Sequence, residues 1–125
     1  MDAILNRVRA QRHPKAETVV AAHTAIVKLF RWISGHGNPS LASKYLHFHC
    51  PRAAYICDSR ALTAIRRVTE PVRLPSNLKK LKNPYASFFM RCEVLKGALE
   101  KLLKRKLKPR DVDKVLLAVY EQVRA

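Results

Sequence analysis

Glycine is scarce in this chain, with three residues in 125, and no GxxxxGK[ST] or GxGxxG run occurs. Loops that cradle phosphate through a closely approaching backbone need such glycines, so the common nucleotide-binding turns are excluded. Cysteine is equally sparse. Three residues, an odd number, make a poor disulfide framework and point to a reducing, cytoplasmic setting. No run approaches the roughly 18 apolar residues of a membrane helix, and the opening Met1 to Arg9 lacks the unbroken apolar stretch of a secretory signal. Fixed-period repeats and low-complexity blocks are also missing. Carboxylates are the most telling shortage. Nine Asp and Glu stand against 25 Lys and Arg, a formal net charge of +16. So few acids, mostly solitary, leave little material for acid–base catalysis.

What remains reads as helix, because apolar residues recur at helical spacing and almost nowhere alternate. A first helix is expected from about Asp2 to Arg12, ending before His13-Pro14. A second spans about Ala16 to Ser34, with Val19, His23, Ile26, Phe30 and Ile33 on one arc, and the Gly35-His36-Gly37-Asn38-Pro39 run ends it. Ser40 is the expected cap of a third helix reaching His49, and Asp58 that of a fourth from Ser59 to Val68. Asn83-Pro84 signals the start of a fifth that runs to about Arg105, with Phe88, Cys92, Leu95, Leu99, Leu102 and Leu103 facing inward. Val112, Val115, Leu116, Val119 and Val123 mark a sixth. The expected fold is all-α, a single compact domain over residues 1–125 built from about six short helices.

The positive charge is uneven. From Arg73 to Arg110 there are 12 basic residues and only Glu93 and Glu100 to oppose them, so 38 residues hold +10 of the total. Lys101, Lys104, Arg105 and Lys108 are expected on the fifth helix opposite its leucines, with Lys79, Lys80 and Lys82 leading into it and Arg110 following. Such a face could track a nucleic-acid backbone, DNA being favoured, with Arg60, Arg66 and Arg67 assisting; phosphate contacts would supply affinity without sequence information. The plain alternative is a solvated helix face whose terminal cations suit the helix dipole.

The densest run of unusual residues lies between Pro39 and Arg67. Pro39-Ser40-Leu41-Ala42-Ser43-Lys44 resembles a degenerate form of the Pro-Gly-Val-Gly-x-Lys hairpin of helix-hairpin-helix DNA glycosylases. The later Cys57-Asp58-Ser59-Arg60-Ala61 and Arg66-Arg67-Val68 are similar to that family's Val-Asp-Thr-His-Val and Arg-Val segment. For the endonuclease III-like branch the resemblance implies a Schiff-base lysine at Lys44 and an essential carboxylate at Asp58. A desolvated lysine would attack an electrophilic sugar carbon beside a carboxylate that stabilises positive charge. Ser40 and Ala42 stand where the family has its hairpin glycines, and 14 residues separate Lys44 from Asp58.

Other constellations carry less. His47, His49, Cys50 and Cys57 invite a metal reading, since His47 and Cys50 share a helix face at i, i+3 and Cys57 could approach across the turn after Pro51; paired CxxC or HxxxH spacings are missing, so ring-and-thiol packing beside Phe48 is the expectation and no metal or cofactor is implied. His23 and Cys92 fall on apolar arcs and read as core. Trp32 and the scattered tyrosines and phenylalanines do not make a single-strand stacking platform. Three functions therefore stand side by side: a non-enzymatic nucleic-acid binder, a reduced DNA glycosylase or lyase using Lys44 and Asp58, and an interaction module for an acidic protein partner. None calls for a membrane.

Overall fold

Side chains cap the starts of α3, α4 and α7 and so fix three of the helix boundaries. The computed structural model describes residues 1–125 as seven helices and no strands: α1 (Asp2–Arg9), α2 (Ala16–Ser34), α3 (Pro39–His49), α4 (Ser59–Val68), α5 (Ser76–Lys79), α6 (Tyr85–Leu103) and α7 (Pro109–Arg124). Gly35 closes α2 in the left-handed region at φ 83°, its amide donating to the Arg31 carbonyl at 2.8 Å. Asp58 caps α4, its Oδ1 accepting from the Ala61 amide at 2.9 Å. The cap of α3 is Asn38 rather than the expected Ser40. Asn38 tolerates φ 44°, its Oδ1 accepts from the Leu41 amide, and Pro39 takes the first helical position.

Other boundaries also differ from expectation. α1 stops at Arg9, short of Arg12, and the Gln11 side chain takes the Lys15 amide as the chain turns. α6 stops at Leu103, because Lys104 turns left-handed at φ 55° and Glu100 captures the Leu107 amide at 2.8 Å. The single turn α5, anchored by the buried Leu78, is too short to show in periodicity.

One core of 21 buried residues draws on all seven helices. α2 packs on α1, α3 and α6, while α4 lies mainly along α7 and also touches α6. Fully burying a side chain such as Ile26 or Leu46 contributes roughly 1.5–3 kcal/mol. The inward stripes outrun this core. Ile33 is 68% exposed and Leu102 77% exposed, with Leu103 also outside, because the last turns of α2 and α6 extend past their partners.

Between α3 and α4 the chain runs without regular secondary structure at Ala54–Cys57, with Ala54 and Tyr55 fully buried, and no ladder satisfies its backbone. Side chains do so instead. His47 Nδ1–H donates to the Ala54 carbonyl at 2.7 Å. The Tyr85 hydroxyl accepts from the Tyr55 amide at 3.1 Å and donates to the Tyr55 carbonyl at 2.7 Å. Ser43 Oγ accepts from the Cys57 amide at 2.8 Å. This segment fixes Asp58 at the mouth of α4.

Candidate nucleic-acid interface

The interface follows from how nine carboxylates are used. Asp58 caps α4, Asp111 accepts from the Lys108 amide at the start of α7, and Glu100 holds the α6–α7 loop. Glu93 accepts from the buried Tyr55 hydroxyl, and Glu17 from Asn77. Only three of the 25 Lys and Arg side chains lie within ion-pair distance of a carboxylate: Arg60 with Asp58, Lys96 with Glu93, and Arg124 with Glu121. Five of the nine acids thus serve the fold, and most of the cations have no carboxylate partner.

The free cations do not form the single helix face that spacing suggested. Lys101 alone of its group lies within α6; Lys104 is the left-handed cap, Arg105 and Lys108 lie in the loop, and Arg110 is in the first turn of α7. Lys79 ends α5, and Lys80 and Lys82 follow it on the way into the opposite end of α6. At 1.5 Å per residue the 19 residues of α6 span about 27 Å, and the two groups flank that length. Eight base pairs of duplex, at about 3.4 Å each, span that length. A third group sits between helices. Arg66 and Arg67, in the last turn of α4, line an open cleft of about 460 Å³ with Arg91. Arg91 clamps the end of α4, with Nε donating to Thr69 Oγ1 at 2.9 Å and Nη2 to the Thr69 carbonyl at 2.8 Å.

Lys44 and Asp58 lie on neighbouring elements. Ser43 and Cys57, their sequence neighbours, are bonded to each other, so the start of α4 abuts α3. Lys44 itself is exposed, not desolvated, and the cation paired with Asp58 is Arg60 at 3.6 Å. The hexapeptide Pro39–Lys44 is helical throughout, and the turn joining the two helices is Gly35–Asn38 just before it.

His47, His49, Cys50 and Cys57 do not converge. His49 lies against Tyr45 and Phe48, Cys50 is near Arg9, and Cys57 faces Ser43. No three His, Cys, Asp or Glu side chains form a metal-binding group. Burial pushes the Cys57 thiol up to about 12, helped by Asp58, so it carries no thiolate at neutral pH. His23 is the satisfied core histidine expected. It is stacked on Tyr85 at 4.1 Å, donates from Nε2 to the Pro39 carbonyl and accepts at Nδ1 from Asn83; burial lowers its pKa despite the Pro39 bond.

Sequence reasoning missed Asp113. This residue lines a cleft of about 180 Å³ with Asp58, Arg60, Ile56 and Leu116, and His47 Nε2 stands 3.9 Å away. Burial raises its pKa to about 6, against opposing effects of His47, the Ile56 backbone and Arg110. The Ile56 amide points toward the carboxylate, yet neither oxygen completes a hydrogen bond. Its only sequence signal is a position three residues before the buried Leu116. No helix is long and apolar enough to cross a membrane. Comparison with known protein families, curated proteins and solved structures finds no match to the chain.

Proposed function

We propose that this protein binds nucleic acid, with duplex DNA favoured, through phosphate contacts and without catalysing a reaction. The observation that carries this reading is the shortage of carboxylates, five of which are held in structural bonds, so that all but three Lys and Arg side chains lack a carboxylate partner. A surface so one-sided repels itself, and a polyanion relieves the repulsion by releasing counterions. Lys79, Lys80 and Lys82 before α6, and Lys101, Lys104, Arg105, Lys108 and Arg110 at its far end, flank a helix about as long as eight base pairs of duplex. Arg66 and Arg67 add a contact from α4, and Arg60 one from its opposite end.

Titration of the protein with duplex DNA, single-stranded DNA and RNA at several salt concentrations tests this. Six neutralised phosphates give a log–log slope of roughly −5 on duplex. A slope near zero on all three polymers refutes the reading. A stoichiometric complex with an acidic protein that survives moderate salt, without nucleic-acid binding, replaces it with the protein-partner reading.

The Ser43–Cys57 bond favours a second reading, a reduced DNA glycosylase or lyase, because it draws together the elements bearing Lys44 and Asp58. In that reading Lys44 is the nucleophile and Asp58 its carboxylate partner. Borohydride trapping on abasic-site DNA tests it: a covalent adduct that disappears in Lys44→Ala assigns the nucleophile, and no adduct in the parent protein removes the reading.

A further inference from the structure

The last turn of α2 and the first turn of α3 form the tip of a helical hairpin, and that tip is apolar where solvent meets it. Trp32 is 83% exposed, Ile33 68% and Leu41 50%. Scattered exposed apolar residues need no explanation, but three gathered around one four-residue turn form a patch. None of the five principal clefts is lined by Trp32, Ile33 or Leu41.

The tip is also held stiffly. Ser34 Oγ donates to the Phe30 carbonyl at 2.8 Å and accepts from the His36 amide. Asn38 caps α3, and buried His23 holds the Pro39 carbonyl at 3.0 Å. Gly37 sits so close to α2 that a Cβ there would lie 2.8 Å from Val27 Cγ1 and 3.1 Å from the Arg31 guanidinium. A preorganised surface loses little entropy when it binds.

The surroundings of the tip select the occupant. Between Thr18 and Cys57 there is no carboxylate, whereas Lys28, Arg31 and Lys44 are exposed. Lys28 lies one helical turn before Trp32, Arg31 crosses the turn at Gly37, and Lys44 follows Leu41 at i+3 on α3. A second copy of this chain, itself at +16, is repelled. An anionic bilayer would need a long apolar helix face lying in its plane, and here only one turn of each helix is apolar.

The geometry points to a wedge for duplex DNA: Trp32, backed by Ile33 and Leu41, enters a base step while Lys28, Arg31 and Lys44 hold the flanking phosphates. This rests on the nucleic-acid reading above and adds to it a contact with bases. Such a contact is apolar, so it contributes affinity without releasing counterions.

Trp32 is the sole tryptophan, which makes its emission a direct reporter. The full chain is titrated with a labelled mixed-sequence duplex, and anisotropy and tryptophan emission are recorded together. Binding is expected to quench Trp32. The Trp32→Ala variant is expected to bind about 10-fold more weakly with an unchanged salt slope, and Trp32→Phe to recover part of the loss. Arg31→Ala should instead flatten the slope by about one unit. Because Trp32 is exposed, its replacement leaves the fold intact. Duplex binding with unquenched emission and unaltered Trp32→Ala affinity overturns the wedge and leaves phosphate binding standing. Failure to bind any nucleic acid overturns both, and an emission change seen only with anionic vesicles reassigns the tip to a lipid surface.

Discussion

Replacing Asp113 with asparagine removes a charge that the fold holds under strain. The carboxylate oxygens are buried without hydrogen bonds, and the neighbouring His47 already commits its Nδ1 proton to the Ala54 carbonyl. His47 Nε2 faces the carboxylate at 3.9 Å, too far for a hydrogen bond. Burial accordingly raises Asp113 from the ordinary 3.8 to about 6. At 1.36 kcal/mol per decade this corresponds to about 3 kcal/mol, which solvent screening of the partly exposed side chain reduces to about 2 kcal/mol. The sign follows from proton linkage. A carboxyl group with a raised folded pKa binds more protons folded than unfolded, so its contribution is most favourable below 3.8 and is lost as pH rises through about 6. Asp113→Asn, which cannot ionise, is expected to match the parent near pH 3.5 and to exceed it above pH 6. At roughly 3–5 °C per kcal/mol for a chain of this size, the gain in Tm is about 6–10 °C. Thermal denaturation of both proteins across this pH range measures the difference directly, and titrations of groups remote from Asp113 cancel in the comparison. A difference that does not change with pH, or an asparagine variant less stable at pH 7, refutes the account of Asp113 as a strained carboxylate.

Two further outcomes follow from named contacts. Tyr85→Phe deprives both the amide and the carbonyl of Tyr55 of their partner inside the core, and a loss of about 2–4 kcal/mol is expected in denaturant unfolding; a loss below 1 kcal/mol would show that water replaces the hydroxyl. Gly37→Ala forces a methyl against Val27, with an expected loss of about 1–3 kcal/mol and a shift of the hairpin tip that NMR chemical shifts of Trp32 would report.

Helix boundaries were legible wherever one side chain closes a turn. Asp58 before Ser59 and Gly35 after Ser34 are local devices, and α4 and α2 begin and end where they predict. Asn38 was passed over for Ser40 because its role depends on a left-handed backbone conformation that spacing does not display. Periodicity identified the inward face of α6, but it could not locate the point where the neighbouring helices stop, so Leu102 and Leu103 were placed inside. The same limit governs the candidate interface. The quantity of positive charge is a property of composition, whereas its division between the two ends of α6 depends on where that helix lies. Asp113 was invisible for a related reason: its burial arises from α7 lying along α4, a contact between segments about 50 residues apart.

The engagement of carboxylates in capping and core bonds has a consequence for the free protein. Most surface cations lack local compensation, so repulsion among them opposes folding when no polyanion is present. Added salt should therefore act in opposite directions on two equilibria, weakening a complex with DNA while raising the melting temperature of the protein alone. Low ionic strength is where this chain is expected to be least stable by itself and where the proposed DNA complex is expected to be tightest.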